Sequence, residues 1–465
     1  MAYTSFFRTS RGIALALLAL AFAAPAMAQD GLRIYEEELR VQIDQQALDL
    51  RQREFDAGGW GTFGYFNFDD ETNQNKTLRQ SQLRLWAGAN LSGVHRAYVR
   101  YLLDWDDWNS GQHNKGDSDY CRLERAWYQL SISQLVRQLG GVAPPYHLNV
   151  KVGREYATIG SGLTLSMPLD MIELQYLGAQ WEAKALMGKS VDYTKNIDRS
   201  PRIYDEQDRC FFGGEIAYRG LSHDRPFAYI LVNDDHSSPR PADATQSYGY
   251  DSRYLGVGSE GSLGIRNLRY NTELVYEWGE TFGNGVNTGT RDDISAMAYD
   301  LMVEYFFQAP MRPRIMGEYI WGSGDSDRLT SSGATVGGNR AGTTDNAFNA
   351  FGFRDTGIAF APDVSNLHIY VLGASFFPFE SFKPTKNLEV GSKAFFYNKS
   401  SRGPISDTTA TADNRWVGWE WDIYADWRIT SDLTWTIRYG FFQPGSAFPD
   451  RECRQFLYTA LTLSF

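Results

Sequence analysis

The chain is predicted to be an all-β transmembrane antiparallel barrel, on three observations. First, its last fifty or so residues alternate with a period of two. Val417, Trp419, Trp421, Ile423, Ala425, Trp427 and Ile429 are apolar, and Glu420, Asp422, Tyr424, Asp426 and Arg428 between them are polar or aromatic-polar. Alternation of this kind sends successive side chains to opposite faces of a strand. Second, the runs extend over about ten to fourteen residues, where soluble sandwich strands stop near six and a tilted membrane-crossing strand needs about ten. Third, beyond the N-terminal leader no segment reaches the roughly eighteen consecutive apolar residues of a membrane helix. The mean hydropathy of −0.41 fits strands that are half polar.

Met1 to Ala28 reads as a secretory signal. Arg8 and Arg11 form its basic end, Gly12 to Ala24 its apolar run, and Ala26-Met27-Ala28 its small-residue cleavage site. The apolar run is too short to span a bilayer, so cleavage near Ala28 is expected. Residues 29–58 follow a different pattern. Tyr35, Leu39, Ile43, Ala47 and Leu50 form one stripe at spacings of four and three on a charged helix that ends at Gly58-Gly59. A periplasmic helix that plugs the barrel or docks a partner is one reading, and a leader without fixed structure is the other. The barrel then occupies residues 59–465.

Trp60 to Phe68 is the first strand. The second sends Leu83, Leu85, Ala87, Ala89 and Leu91 outward and Gln80, Gln82 and Arg84 inward. After a tight turn at Ser92-Gly93 the third sends Ala97, Val99, Tyr101, Leu103 and Trp105 outward, with Arg96, Arg100 and Asp104 inward. A long acidic loop, Asp106 to Asp119, precedes strands at Arg122–Ser133 and Leu148–Tyr156. Further strands are read at Trp181–Met187, Phe212–Arg219, Phe227–Asn233, Arg253–Leu263, Leu268–Trp278, Ser295–Phe307, Arg314–Trp321, Leu367–Phe377 and Leu388–Tyr397. Three strands from Trp416 onward close the census at seventeen, and the chain ends on Phe465 as the terminal strands of bacterial outer-membrane barrels do.

This census is odd, whereas single-chain barrels of this type have an even number of strands. Turns at Ser92, Ser222, Gly264, Pro310, Lys383 and Ser431 are short, and loops at Gly111, Lys195, Ala242, Gly285, Gly333 and Thr409 are long. Short turns belong on the periplasmic side and long loops outside. Parity fails only near Met171 to Tyr176, where one more descending strand restores it. Eighteen strands are therefore predicted, with sixteen as the alternative.

The net charge of −11 becomes −13 once the two arginines of the leader are removed. An acidic total argues against a nucleic-acid partner. Aromatics at 15% suit the girdles at the two bilayer interfaces. Cys121, Cys210 and Cys453 are too few for a disulfide framework. Each falls where a descending strand begins, near the extracellular rim, as one oxidised pair or as separate thiols.

The stretch Gly153-Arg154-Glu155, then Gly160-Ser161-Gly162-Leu163, then Asp170-Met171-Ile172-Glu173-Leu174 resembles the Gly-Arg-Gln, Gly-Asp-Gly-Leu and Asp-x-x-x-Glu signature of the alginate export family. Gly59-Trp60, the basic second and third strands, Arg122-Leu123-Glu124-Arg125-Ala126-Trp127 and the final strand agree with it. Glu155 stands where Gln is usual, and Thr164-Leu165 where an aromatic pair is expected. The resemblance implies an eighteen-stranded outer-membrane channel that exports an anionic polysaccharide, alginate or a similar polyuronate. Its implied partners are that polymer, outer-membrane lipid and lipopolysaccharide, and periplasmic secretion proteins. A general or anion-selective porin for small solutes is the alternative.

A polyuronate carries one carboxylate per sugar, which a planar guanidinium binds in a bidentate manner, and transit needs several weak sites in succession. Alternation nominates Arg84, Arg96, Arg100, Arg122, Lys151, Lys184, Arg269, Arg314, Lys393, Arg428 and Arg438 for the lumen. Glu124, Glu155, Glu182, Glu273, Glu318 and Glu389 share those faces, so a structural network of acids and bases bracing the lumen is the competing expectation. Arg122 and Arg125 cannot share one face of an unbulged strand, and Arg125, beside Trp127 and Gln129, is the preferred lumen residue. Glu389 and Lys393, four apart on one face, are expected within mutual reach. Arg154 conflicts with strict pleating, which sends it toward lipid with Val150 and Val152. A bulge beside Gly153 is expected to turn it inward. Arg354 lies in the longest loop, Gly322 to Asn366, which either enters the lumen or forms an extracellular lid.

No enzymatic activity is expected. Asp234-Asp235-His236 could activate water, but one histidine beside two acids is commonplace and no serine–histidine arrangement accompanies it. No cofactor or metal is expected either. The runs Asp104–Asp107 and Asp117–Asp119 could hold Ca²⁺ in a loop, yet they lack the spacing of a calcium-binding hand.

Overall fold

The computed structural model describes residues 55–69, 73–109, 117–142, 144–192, 194, 207–237, 249–283, 291–335 and 338–465. The expected signal peptide and the helical stripe through Leu50 lie outside these residues. Within them the chain forms a closed antiparallel barrel of eighteen strands. The first six are β1 (Phe55–Asp69), β2 (Asn75–Leu91), β3 (His95–Trp108), β4 (Ser118–Ser131), β5 (His147–Ile159) and β6 (Leu165–Leu177). Next come β7 (Trp181–Ser190), β8 (Arg209–Tyr218), β9 (Asp224–Asp235), β10 (Tyr250–Gly261), β11 (Leu268–Thr281) and β12 (Asp292–Phe306). The last six are β13 (Arg314–Gly322), β14 (Leu367–Phe376), β15 (Leu388–Lys399), β16 (Trp416–Arg428), β17 (Leu433–Pro444) and β18 (Arg454–Ser464). A short helix, α1 (Ile132–Gln138), joins β4 to β5 on the periplasmic side.

Each strand pairs with its neighbours in sequence, and β1 pairs with β18 from Trp60–Ser464 to Phe68–Phe456, which closes the barrel. The extra descending strand needed for parity is β6. β1 starts at Phe55 rather than Trp60, so Phe55–Gly58 are barrel strand and not the end of a helix. They are held by β2 from Phe55–Ala89 onward. The three-residue β2–β3 turn places Ser92 and Gly93 at φ 56° and 70°, and Val94 N–H closes it on the Leu91 carbonyl at 3.1 Å.

The outer face carries exposed apolar side chains, Phe63, Leu85, Tyr101, Tyr128, Ile172, Trp421 and Leu461 among them, as a lipid-facing surface does. Two bulges break the pleat. Between Arg100 and Tyr101 the register with β4 shifts from Arg125 to Leu123, so one extra residue sits in β4. At β16 the register shifts between Tyr397 and Asn398, and Val417, expected outward, is fully buried inside.

The apolar core lies inside the barrel, and the long loop 323–366 builds it. Its Phe348 and Phe351 pack among Leu165, Leu169, Phe211 and Tyr254, with the Phe351 and Phe211 ring centroids 4.8 Å apart. Farther along, Ile358 joins Phe66, Phe456 and Tyr458, and Phe360 stacks on Phe442 at 4.2 Å. The segment therefore crosses the lumen from the β8–β10 wall to the β16–β18 wall and β1.

Candidate functional site: a strapped and polarised lumen

Two chain segments fold inward to form a constriction. One is the β5–β6 turn, Gly160 to Thr164. A side chain at Gly160 (φ 61°) would strike Tyr229 and Glu273, which belong to β9 and β11. The other is the strap 349–360, held edge-on to that turn. Phe351 N–H donates to the Thr164 carbonyl at 2.7 Å, and Ser166 N–H donates to the Phe351 carbonyl at 2.9 Å. Glu420 of β16 anchors the strap's far end, accepting the N–H groups of Ile358 and Ala359 at 2.6 Å and of Phe360 at 2.9 Å.

Arg354 joins the two segments to the wall. Its Nε lies 2.7 Å from Asp300 Oδ2 and its Nη2 3.7 Å from Glu273 Oε2, while Nη1 donates to the Ser161 carbonyl at 3.1 Å. Asp355, the next residue, pairs with Lys393 of β15. Of the two placements open for loop 322–366, the strap takes the luminal one.

Beneath the constriction, β2–β5 form a basic wall. The β4 bulge turns both Arg122 and Arg125 inward, so the expectation that only one could face the lumen fails. Glu124, the extra residue, reaches Arg84 Nε at 3.0 Å and Arg100 Nε at 2.8 Å. Arg125 Nη1 lies 3.2 Å from Glu155 Oε1, and Lys151 Nζ lies 3.8 Å from Glu155 Oε2. Glu124 and Glu155 thus serve Arg84, Arg100, Arg125 and Lys151, with Arg96 and Arg122 on the same face. Buried carboxylates shared by several bases hold planar guanidinium groups in fixed positions while leaving the wall net positive.

The opposite wall is acidic. From β11 to β16 it presents Glu273, Glu277, Asp300, Glu304, Glu318, Glu389, Glu420, Asp422 and Asp426, against Arg269, Arg314 and Lys393. Arg269 and Arg314 share Glu304 at 2.9 and 3.5 Å, and Arg438 of β17 pairs with Asp426 at 2.8 Å. On β7–β10 Lys184 lies 3.3 Å from Glu215. Glu182 there serves Arg219 at 3.1 Å and Arg225 at 2.8 Å. Arg225, which also holds Glu215 and Glu260, was not nominated from sequence because Pro226 disguises the start of β9. A network of acids and bases therefore braces the lumen, and its charge is uneven between the two walls.

Several placements differ from expectation. No bulge accompanies Gly153: β5 pairs with β6 without a register shift, and Arg154 stays on the outer face. There it chelates Asp170 through Nε at 2.7 Å and Nη2 at 2.8 Å and donates to the Leu123 carbonyl at 3.1 Å, beside the β4 bulge. The irregularity sits in β4 instead, and Arg154 ties β5 to it where the β5–β6 hairpin leaves the wall. Lys393 turns to Asp355, and Glu389 lies instead near Arg314 at 3.8 Å, so the expected Glu389–Lys393 pair does not form. The Asp104–Asp107 run is strand rather than loop. Asp104 accepts from Tyr120 at 2.6 Å inside the barrel, whereas Asp107 meets Arg79 outside. Asp234 and His236 pair at 3.3 Å on an exposed strand end, while Asp235 points inward to Arg209. The three cysteines are free thiols at the starts of descending strands.

A family model described as alginate export matches residues 60–459. No curated protein matches. Among solved structures, OccK5 (OpdH) of Pseudomonas aeruginosa aligns with TM-score 0.55 at 10% identity, over 89% of this chain and 98% of that one. The outer membrane protein OprD of the same species aligns with TM-score 0.54 at 13% identity, over 89% and 94%. A BenF-like porin from Pseudomonas fluorescens Pf-5 aligns with TM-score 0.53 at 11% identity, over 89% and 99%. At these identities the likeness is one of fold.

Proposed function

The chain belongs to the alginate export family, and from that premise we propose that this outer-membrane channel passes an anionic polysaccharide, alginate or a similar polyuronate, out of the cell. The observation that carries the reading is the basic wall of β2–β5, where Arg84, Arg100, Arg125 and Lys151 stand around Glu124 and Glu155. A polymer carboxylate exchanges with Glu124 or Glu155 for a guanidinium at each step. Such exchange makes each site weak, as conduction requires, because the polymer replaces a contact that already exists. The acids opposite are largely taken up by the strap, which leaves the bases of β2–β5 as the partners for the polymer. Passage needs no covalent chemistry, and the barrel supplies only a path and a field.

A porin for small solutes is the second reading, favoured by the strap 349–360, which narrows the lumen. Planar-bilayer recordings separate the two. Under the export reading the open channel prefers anions and is blocked by oligouronates at low concentration; under the porin reading oligouronates leave the current unchanged.

A further inference from the structure

Three aromatic rings line the lumen on consecutive strands of the basic wall, and neither the apolar core nor the ion pairs account for them. Trp86, Tyr98 and Trp127 occupy inward positions of β2, β3 and β4. Their ring centroids are spaced 6.0 and 5.8 Å, with planes inclined by 21° and 22°. They belong to none of the three apolar clusters inside the barrel. The indole N–H groups of Trp86 and Trp127 find no acceptor among the described residues, although buried indoles ordinarily do. Glycines border the row: Gly58 pairs with Trp86 and Gly153 with Trp127, so the residue paired across from each outer ring carries no side chain. Lys151 Nζ lies 5.0 Å from the Trp127 ring centre, a cation at the end of the row.

The row's height gives it a direction. β2 and β4 descend, so Trp86 and Trp127 lie toward their periplasmic ends, and Tyr98 lies near the periplasmic start of β3. Arg84, Arg100 and Arg125 stand on the extracellular side of the row. A polymer leaving the periplasm passes Arg96 and the rings before it meets Arg84, Arg100 and Arg125.

We propose that Trp86, Tyr98 and Trp127 form a stacking platform for pyranose rings at the periplasmic entrance, with Lys151 placed to meet a sugar carboxylate. The electron-rich ring face attracts the C–H-bearing face of a pyranose. Stacking of this kind tolerates sliding, because each sugar presents the same face. The platform rests on the export reading and adds to it a contact that does not depend on charge.

The test uses the full-length channel in planar bilayers, with a hexameric oligouronate added on the periplasmic side. Ion current through each variant establishes that it is inserted and open. Replacing the three rings by alanine is expected to raise the half-blocking concentration by about tenfold. The variant with phenylalanine at all three positions is expected to stay within about twofold of wild type. Equal block of the wild type and the alanine variant overturns the platform and leaves the export reading standing. A wild-type channel that oligouronate does not block overturns both. If the triple alanine variant does not insert, Trp127→Ala alone carries the test, with about threefold weaker block expected and unchanged block counting against the platform.

Discussion

Arg354 Nε and Asp300 Oδ2 lie 2.7 Å apart, and this contact fixes a loop residue to the inner wall of β12. Glu273 and Ser161 complete the grip, so the strap, the β5–β6 turn and two strands meet at one guanidinium. The position of the strap in the lumen is therefore set by an ion-pair junction as well as by its apolar packing.

Removing that junction leaves Glu273 and Asp300 buried without their cation, an arrangement that costs about 3 kcal/mol or more. Arg354→Ala is expected to insert as a barrel, to unfold at lower denaturant concentration, and to show larger and noisier single-channel conductance. Conductance equal to the wild type would mean that the strap is held by its apolar contacts at Phe351 and Phe360.

Arg154 stands outside the lumen, paired with Asp170 on the outer face. Its loss removes that ion pair together with the bond to the Leu123 carbonyl. Arg154→Ala is expected to lower the unfolding midpoint modestly and to leave oligouronate block within twofold of wild type (about 0.4 kcal/mol). A channel that loses its block on this change would place Arg154 in the conducting path after all.

Glu389 lies 3.8 Å from Arg314, and the Tyr424 hydroxyl donates to it at 3.3 Å. Glu389→Ala removes a negative charge near a lumen base, so the reversal potential in a KCl gradient is expected to move toward anion preference. An unmoved reversal potential would locate Glu389 away from the ion path.

Most of the wall was legible because lipid outside and water inside impose period-two alternation on every strand. Trp419, Trp421 and Glu420, Asp422 fall on the faces that alternation gives them, and the parity of short turns and long loops found β6. What alternation cannot see is a residue inserted into one strand. The extra residue in β4 brought Arg122 and Arg125 to the same face, and the one in β16 turned Val417 inward. Gly153 drew the expected bulge onto the wrong strand: the glycine accommodates φ 127° within an uninterrupted pairing with β6. The strap was not legible in detail, because its partners, Glu420 at one end and Tyr254 at the other, are far from it in sequence. Trp86 and Tyr98 were passed over because aromatic residues were assigned to the lipid interfaces, although their parity already put them inside.

The central claim is that the β2–β5 wall recognises a polyanion, and oligouronate block compared between wild type and an Arg100→Gln, Arg125→Gln double variant tests it most directly. The account predicts wild-type block that weakens with added salt, and a half-blocking concentration at least tenfold higher (about 1.4 kcal/mol) in the double variant. Block of equal strength in the two channels, or none in either, would contradict it.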